Sequence, residues 1–213
     1  MRTSDHIVYI VDDDVRVREA LTDLLESHGI HTASFGSAGE YVRLEKVDLP
    51  ACLILDVELP DINGLDLQKQ IANGGHPPIV FITGHGDIPS SVRAIKHGAV
   101  DFLTKPFGDA ELMAAVRSAI NQDREWRIKH AELDALRQRY LDLTQRERDV
   151  LPLVVSGLLN KQAAAELGIS EVTLQIHRRK VLQKMGAASL ADLVRMAEKL
   201  DIPISFSRRT EGS

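Results

Sequence analysis

The chain has 213 residues but only one cysteine, one tryptophan and 4% aromatic residues. One cysteine cannot form an internal disulfide, and Cys52 lies in an apolar run, so we expect a small core residue in a reducing compartment. The absence of any run of about 18 apolar residues gives no predicted membrane span. The first residues also lack the order of a secretory signal. These absences predict a cytoplasmic protein without a membrane partner.

Net charge is also small, at −5, but it is unevenly distributed. Residues 1–120 contain 10 Lys and Arg against 18 Asp and Glu, whereas residues 143–200 contain 9 against 6. An acidic half joined to a mildly basic half indicates two domains with different partners. The basic excess is too small to show nucleic-acid binding, which therefore depends on motifs.

Apolar, β-type runs alternate with stretches of helical spacing over the first 107 residues. The runs cover residues 6–11, 31–35, 51–56, 78–83 and 100–103. Five strands alternating with helices predict a parallel sheet that is covered on both faces. In such sheets ligands bind beyond the carboxyl ends of the strands, so the residues that follow each run are the candidates for a site.

Charged residues follow three of these predicted strands. Asp12 and Asp13 follow the first, Asp56 ends the third, and Lys105 follows the fifth. In a doubly wound, flavodoxin-like sheet ordered 2-1-3-4-5, the first and third strands are neighbours, so the three carboxylates crowd together and face the lysine. Such carboxylates repel one another unless a divalent cation neutralises them, and oxygen ligands favour Mg²⁺, with Mn²⁺ as a substitute. Asp56, at the end of a buried strand, is the candidate nucleophile.

Four motifs, VDDD, LILDVELPDINGLD, VFITGHGD and VDFLTKPF, resemble the receiver domain of bacterial two-component response regulators over about residues 5–120. The resemblance implies that Asp56 accepts a phosphoryl group from a sensor histidine kinase. It implies a cis peptide before Pro106, and it makes His85 a loop residue at the rim of the pocket. The implied Mg²⁺ ligands are Asp12 through water, Asp13, Asp56 and the Glu58 carbonyl, and the implied phosphoryl-binding and switch residues are Thr83, Lys105 and Phe102.

A long helix is predicted from residue 109 to about 140, because this stretch has no Pro or Gly. Its second half is mostly polar, with five positive and five negative charges over residues 121–142. Heptad-like spacing relates Trp126, Leu133, Leu136, Tyr140 and Leu143. Two interpretations remain open: a solvated linker helix that touches its own domains, or a coiled-coil contact between two copies.

Four short helices are predicted within residues 143–200. Thr144 and Glu147 have the spacing of a capping box, and Asn160 is a candidate N-cap of the second helix. A short helix, a turn at Gly168 and a helix rich in Arg and Lys form the helix-turn-helix pattern. This pattern predicts a DNA-binding domain.

The segments LTQRERDVL and GLLNKQAAAELGISEVTLQIHRRKVLQKM resemble the NarL/FixJ, or LuxR-type, effector domain, and within that family the FixJ-like and StyR-like regulators. The resemblance implies a homodimer on DNA with inverted half-sites. For Arg178 and Lys184 an exposed, solvated face is an equal alternative. The implied DNA-contacting residues are Lys161, Thr173, Gln175, Ile176, Arg178, Arg179 and Lys180, and the implied dimerisation residues are Leu190, Leu193 and Val194.

The predicted organisation is a CheY-like α/β receiver and an all-α helix-turn-helix domain, joined by the linker helix. The predicted bounds are 1–120 for the receiver, 121–142 for the linker, 143–200 for the DNA-binding domain and 201–213 for a partly disordered tail. The function expected is a phosphorylation-activated transcription regulator, in which the receiver catalyses only its own phosphorylation and dephosphorylation. By family habit it activates transcription and contacts RNA polymerase.

Two other functions are compatible with parts of the sequence. A phosphorylation-independent dimeric DNA-binding regulator would keep the helix-turn-helix, but the complete set of acidic residues argues against it. A phosphohydrolase with Asp56 as its aspartyl nucleophile would use the C-terminal helices as a lid. A lid does not require a helix-turn-helix, so the hydrolase is the weaker alternative.

Overall fold

A computed structural model describes residues 5–72, 75–84 and 88–203. The chain divides into two compact units, Met1–Arg127 and Ile128–Ser213. His85 and residues 204–213 of the tail lie outside the described residues, so the predictions made for them stay predictions. No helix in the described part of the chain combines the length and hydropathy that a membrane span requires.

The first unit contains a five-stranded, fully parallel sheet with the order 2-1-3-4-5, which confirms the predicted topology. The central strand β3 is buried along its whole length, as expected for a parallel strand covered on both faces. The strands are β1 (Ile7–Val11), β2 (His31–Phe35), β3 (Ala51–Asp56), β4 (Ile79–Thr83) and β5 (Asp101–Thr104).

Helices cover the two faces of this sheet and create two apolar layers. Leu112 and Val116 pack with Ile54 in one layer, whereas Tyr41 packs with Phe81 in the other. The second helix has only six residues, which are too few for a helical period to emerge from the sequence. The helices are α1 (Val15–Ser27), α2 (Ala38–Arg43), α3 (Gly64–Ile71), α4 (Ile88–Lys96) and α5 (Asp109–Leu141).

The second unit is built from the end of α5 and four helices. The capping box of Thr144 and Glu147 is present, and Gly168 ends α7 with a φ of +64°. Asn160 is not the N-cap of α7. Leu159 occupies that position, and the Asn160 side chain instead accepts a hydrogen bond from Arg178. The four helices are α6 (Gln145–Val155), α7 (Asn160–Leu167), α8 (Glu171–Met185) and α9 (Leu190–Lys199).

Apolar side chains at the end of the linker pack against the second unit of the same chain. Leu136 and Leu143 are buried in the core of the second unit, and Tyr140 packs against that core. Trp126, by contrast, is 45% exposed. These contacts favour a linker helix that touches its own domain, while the coiled-coil contact stays an untested prediction.

Candidate functional site

Three carboxylates meet at the carboxyl edge of the sheet. Strands β1 and β3 are paired in parallel, so Asp12, which directly follows β1, lies beside Asp56 at the end of β3. One carboxylate oxygen from each of Asp12, Asp13 and Asp56 lies within 4.8 Å of the other two. Asp12 is 0% exposed and Asp56 only 6%, whereas Asp13 is exposed to solvent. The group therefore combines buried and accessible oxygen donors.

Lys105 holds two of these carboxylates. Its Nζ lies 2.7 Å from Asp12 Oδ2 and 3.1 Å from Asp56 Oδ2. Burial alone would lower the pKa of Lys105, but the two carboxylates raise it above its usual value. Burial raises the pKa of Asp56, and Lys105 offsets only part of that effect. One ammonium group cannot balance three carboxylates, so the pocket suits a further cation.

Backbone groups fix the orientation of both buried carboxylates. Asp12 Oδ1 accepts the Asp14 N–H at 2.9 Å, and Asp56 Oδ1 accepts the Glu58 N–H at 3.2 Å. The Arg18 guanidinium, one turn into α1, donates to the carbonyls of Asp12 at 2.7 Å and of Asp13 at 3.0 Å. Arg18 was not predicted from the sequence. Its side chain reaches this loop only because the first turn of α1 directs it back toward the end of β1.

Gly64 is a second residue of the site that the sequence analysis did not single out. A Cβ at this position would lie 2.3 Å from the Asp56 carbonyl oxygen, so only glycine allows α3 to start this close to the strand end. Its N–H donates to the Val57 carbonyl at 2.8 Å.

The remaining residues implied by the receiver resemblance lie around the pocket. Thr83 ends β4, is fully buried, and accepts the Lys105 N–H on its carbonyl at 2.8 Å. Phe102 is half-buried on β5, with its ring centroid 6.1 Å from that of Phe81. Glu58 is exposed beside Asp56. The Lys105–Pro106 peptide is cis, as the resemblance implied.

Two other acids of the LDVELPDINGLD motif lie outside this group. Asp61 accepts the N–H groups of Ala38 and Gly39 at the start of α2, at 3.3 and 2.9 Å. Asp66 pairs with Lys69 one turn further along α3. Both carboxylates therefore have structural roles.

The implied DNA-contacting residues divide between exposed and bonded side chains. Thr173 is partly buried, and its hydroxyl lies 2.8 Å from that of Ser170. Arg178 is partly buried and donates to the Asn160 side chain at 3.0 Å, which ties α8 to α7. Lys184 lies on an exposed face, as the alternative held, although its Nζ also pairs with Glu147 at 2.7 Å, whereas Arg178 is only half-exposed. The exposed members are Lys161, Gln175, Ile176, Arg179 and Lys180.

One implied dimer contact requires correction. Leu193 is 0% exposed and belongs to the core of the second unit. A side chain that is already fully packed offers no surface to a second copy. Leu190 and Val194 lie partly buried at the edge of the same core, so they retain surface for a partner.

Comparison with known proteins decides the family. The family model of the response regulator receiver domain matches residues 8–117, and that of the bacterial regulatory proteins of the luxR family matches residues 141–197. The chain belongs to the LuxR-type response regulators. This assignment confirms the predicted family and the general function, a DNA-binding transcriptional response regulator of a two-component system.

Individual relatives of this response regulator cover nearly its whole length. It is 48% identical over 206 residues to nodulation protein W of Bradyrhizobium diazoefficiens, covering 96% of this chain and 91% of that protein. It is 45% identical over 195 residues to the response regulator protein TodT of Pseudomonas putida, covering 91% and 86%. The solved structure of the response regulator StyR superposes with a TM-score of 0.81 at 43% identity, covering 92% of this chain and 100% of StyR.

The two domains define the classes of partner for this response regulator. A receiver domain implies a histidine kinase as the phosphoryl donor, and a LuxR-type domain implies DNA. Receiver domains bind Mg²⁺ at an acidic pocket, and Asp12, Asp13 and Asp56 form an acidic cluster in this chain.

Proposed function

We propose that phosphorylation of Asp56 switches this response regulator. The observation that carries the proposal is the meeting of three carboxylates and Lys105 at one edge of the sheet. An Asp56 oxygen attacks the phosphorus of a phosphohistidine on the kinase. The new P–O bond forms as the P–N bond breaks, and the imidazole leaves with the electron pair and takes up a proton.

The donor set fits Mg²⁺, with Mn²⁺ as a substitute, because every side-chain ligand is a carboxylate oxygen and negative charge remains after Lys105 is counted. Asp13, Asp56 and the Glu58 carbonyl would hold the ion directly, and Asp12 would hold it through water. When bound, the cation supplies charge stabilisation to the transferring phosphoryl group. The buried carboxylates are already oriented by the backbone, so little reorganisation is needed.

Lys105 and Thr83 bind the phosphoryl oxygens in this proposal. Lys105 exchanges part of its pairing with Asp56 for the new anion, which supplies the driving force for a local rearrangement. Phe102 has no hydroxyl group, so its part in the switch is a change of packing against Phe81. The change in the receiver then alters dimerisation and DNA binding.

DNA binding is assigned to the exposed side of α8. Gln175 and Arg179 would read adenine and guanine edges in the major groove. Ile176 would pack against a base, whereas Lys161 and Lys180 would bind phosphates. Thr173 would also bind phosphate, and Arg178, held by Asn160, would contact DNA through its remaining donors. Exposure supports the assignment of Lys161, Gln175, Ile176, Arg179 and Lys180, and the family of the domain supports all seven.

The receiver covers residues 1–120, the linker 121–142 and the DNA-binding domain 143–200, with a tail at 201–213. An activated homodimer, with Leu190 and Val194 at its effector contact, binds inverted half-sites, contacts RNA polymerase and activates transcription in the cytoplasm. The protein turns over no separate substrate, since the receiver catalyses only its own phosphorylation and dephosphorylation.

Intact-mass measurement tests the phosphorylation site. Incubation of the full chain with acetyl phosphate and Mg²⁺ should add one phosphoryl group, and Asp56→Asn should add none. Asp61→Asn is the matched control, because that carboxylate bonds to α2 and should leave phosphorylation intact. Phosphorylation of the Asp56→Asn variant would show that the site is wrong.

Binding to DNA fragments selected from random sequence distinguishes the alternatives. The proposal expects tighter binding by the phosphorylated chain. Equal affinity with and without acetyl phosphate would favour the phosphorylation-independent regulator. Steady turnover of a phosphate ester would favour the hydrolase.

A further inference from the structure

The last turns of α5 contact the end of the recognition helix α8. Arg139 Nη1 donates to the Met185 carbonyl, the last of α8, at 3.2 Å. The final carbonyls of a helix lack intrahelical donors and carry partial negative charge. A guanidinium supplies N–H donors to these carbonyls, and its positive charge stabilises that end of the helix. The N–H groups of Gly186 and Ala187 donate to the carbonyls of Gln183 and Leu182, which also belong to the last turn of the helix. Arg139 therefore adds a donor to the C-terminal cap from outside the helix.

The turn after α8 is shaped to admit this arginine. Gly186 has a φ of +72°, a conformation that favours glycine. A Cβ on Gly186 would also lie 2.8 Å from Arg139 Nη1, so a larger residue would push the guanidinium away. The absence of a side chain at this position thus serves both the turn and the contact with α5.

A second contact runs in the opposite direction. Lys184 Nζ, near the end of α8, donates to the carbonyl of Asp142 at 3.2 Å, just beyond the end of α5. The same ammonium bonds the buried Glu147 carboxylate at 2.7 Å. The ends of α5 and α8 are therefore joined by two hydrogen bonds, one from Arg139 of α5 and one from Lys184 of α8.

We propose that Arg139 is a positioning residue that couples α5 to the recognition helix, so that a change in α5 reaches the DNA-reading side chains. The inference rests on the proposed function, since it needs phosphorylation to alter DNA affinity. Helix α5 begins at Asp109, shortly after Lys105 of the phosphorylation site, and its last turns belong to the DNA-binding unit. Arg139 lets the end of α5 bias the orientation of α8.

The response ratio of the full-length chain tests this coupling. The ratio is the DNA dissociation constant without acetyl phosphate and Mg²⁺ divided by the constant with them, on fragments selected from random DNA. Arg139→Met keeps the aliphatic stem but removes the donors, and it should lower the ratio about 3- to 10-fold, the range expected for the net contribution of one ordinary hydrogen bond. Arg139→Lys keeps the charge and should restore part of the response.

Arg137→Met is the matched control on the same helix. Arg137 is 59% exposed and pairs only with Asp134 of its own helix among the described contacts, so its loss should leave the ratio unchanged. Circular dichroism and phosphorylation of Asp56 should be the same in all variants. A purely structural Arg139 would weaken binding equally in both states. An unchanged ratio in Arg139→Met, or an equal fall in Arg137→Met, would overturn the coupling.

Gly186→Ala supplies an independent route to the same contact. Its Cβ displaces the guanidinium, so it should lower the ratio in the same direction, and the double variant with Arg139→Met should show no further fall. Additive effects of the two changes would contradict the coupling. A wild-type ratio of one would overturn the proposed function and this inference together, whereas a wild-type response that Arg139→Met retains would overturn the inference alone.

Discussion

The acidic pocket of the first unit and the exposed side of α8 present their charged side chains in opposite ways. In the pocket, Asp12 and Asp56 are buried, and each is held by a backbone N–H and by Lys105. On α8, Arg179 and Lys180 project into solvent. The side chains of the pocket are therefore held in place before any ligand binds, whereas the exposed side chains of α8 adopt a fixed conformation only when they contact DNA.

This difference has an energetic consequence. A buried carboxylate must be paired and hydrogen-bonded, so a small displacement of the groups that bind it lowers the stability of the fold. An exposed lysine loses little in the folded protein when it is replaced, and its role emerges only in the salt dependence of binding. Substitutions in the pocket should therefore change stability and phosphorylation, whereas substitutions on α8 should change only binding to DNA.

Gly64→Ala should damage the pocket through the backbone. The added Cβ would lie 2.3 Å from the Asp56 carbonyl oxygen and 3.1 Å from Val57 Cα, so the start of α3 must move away from the strand end. We expect a loss of about 3 kcal/mol in the free energy of unfolding of the first unit, the upper range for overpacking. Phosphorylation by acetyl phosphate should slow by about tenfold or more, as expected when a reacting group is displaced.

Denaturant titration followed by Trp126 fluorescence measures this loss, because the only tryptophan belongs to the first unit. Gly108→Ala is the control, since a Cβ there meets nothing within 4 Å. Equal stability of the Gly64→Ala variant and the wild type would contradict the tight approach of α3 to Asp56.

The same contrast explains what could be predicted from the sequence. Asp56 and Lys105 were found because a strand end fixes their position, and the period of the strands is visible in the sequence. Arg18, Gly64 and Arg139 were missed because their roles depend on close approach between separate elements, which no local pattern records. Leu193 was assigned to a dimer contact by the family resemblance, and its apolar spacing could not correct this, because it fits a face that meets its own core as well as one that meets a second copy.

Glu147→Gln tests a buried charge in the second unit. Burial tends to raise the pKa of Glu147, but hydrogen bonds from Lys184 and Thr144 outweigh it, so the pKa lies below its ordinary value of 4.5. A lowered pKa in the folded state stabilises the protein above the unfolded value, and this contribution disappears as the pH falls through the folded value. We expect Glu147→Gln to cost about 1–2 kcal/mol at pH 7.

Calorimetric unfolding of the second unit from pH 7 to pH 3 measures this dependence. The difference between the wild type and Glu147→Gln should shrink as the pH falls below 4.5. Glu166→Gln, at an exposed position on α7, should differ little from the wild type throughout. A difference for Glu147→Gln that stays constant over this pH range would show that charge is not the cause.

Lys180→Gln should have the smallest effect on the folded protein and a specific effect on binding. The side chain is exposed, so its replacement should change the free energy of unfolding by less than about 0.5 kcal/mol. If Lys180 neutralises one phosphate, the slope of log affinity against log salt should become shallower by about 0.9, because fewer counterions are released. Titrations at several salt concentrations measure the slope, and Lys199→Gln on α9 serves as the comparison. An unchanged slope for Lys180→Gln would remove Lys180 from the phosphate contacts, and with it one argument that α8 takes its charged geometry from DNA.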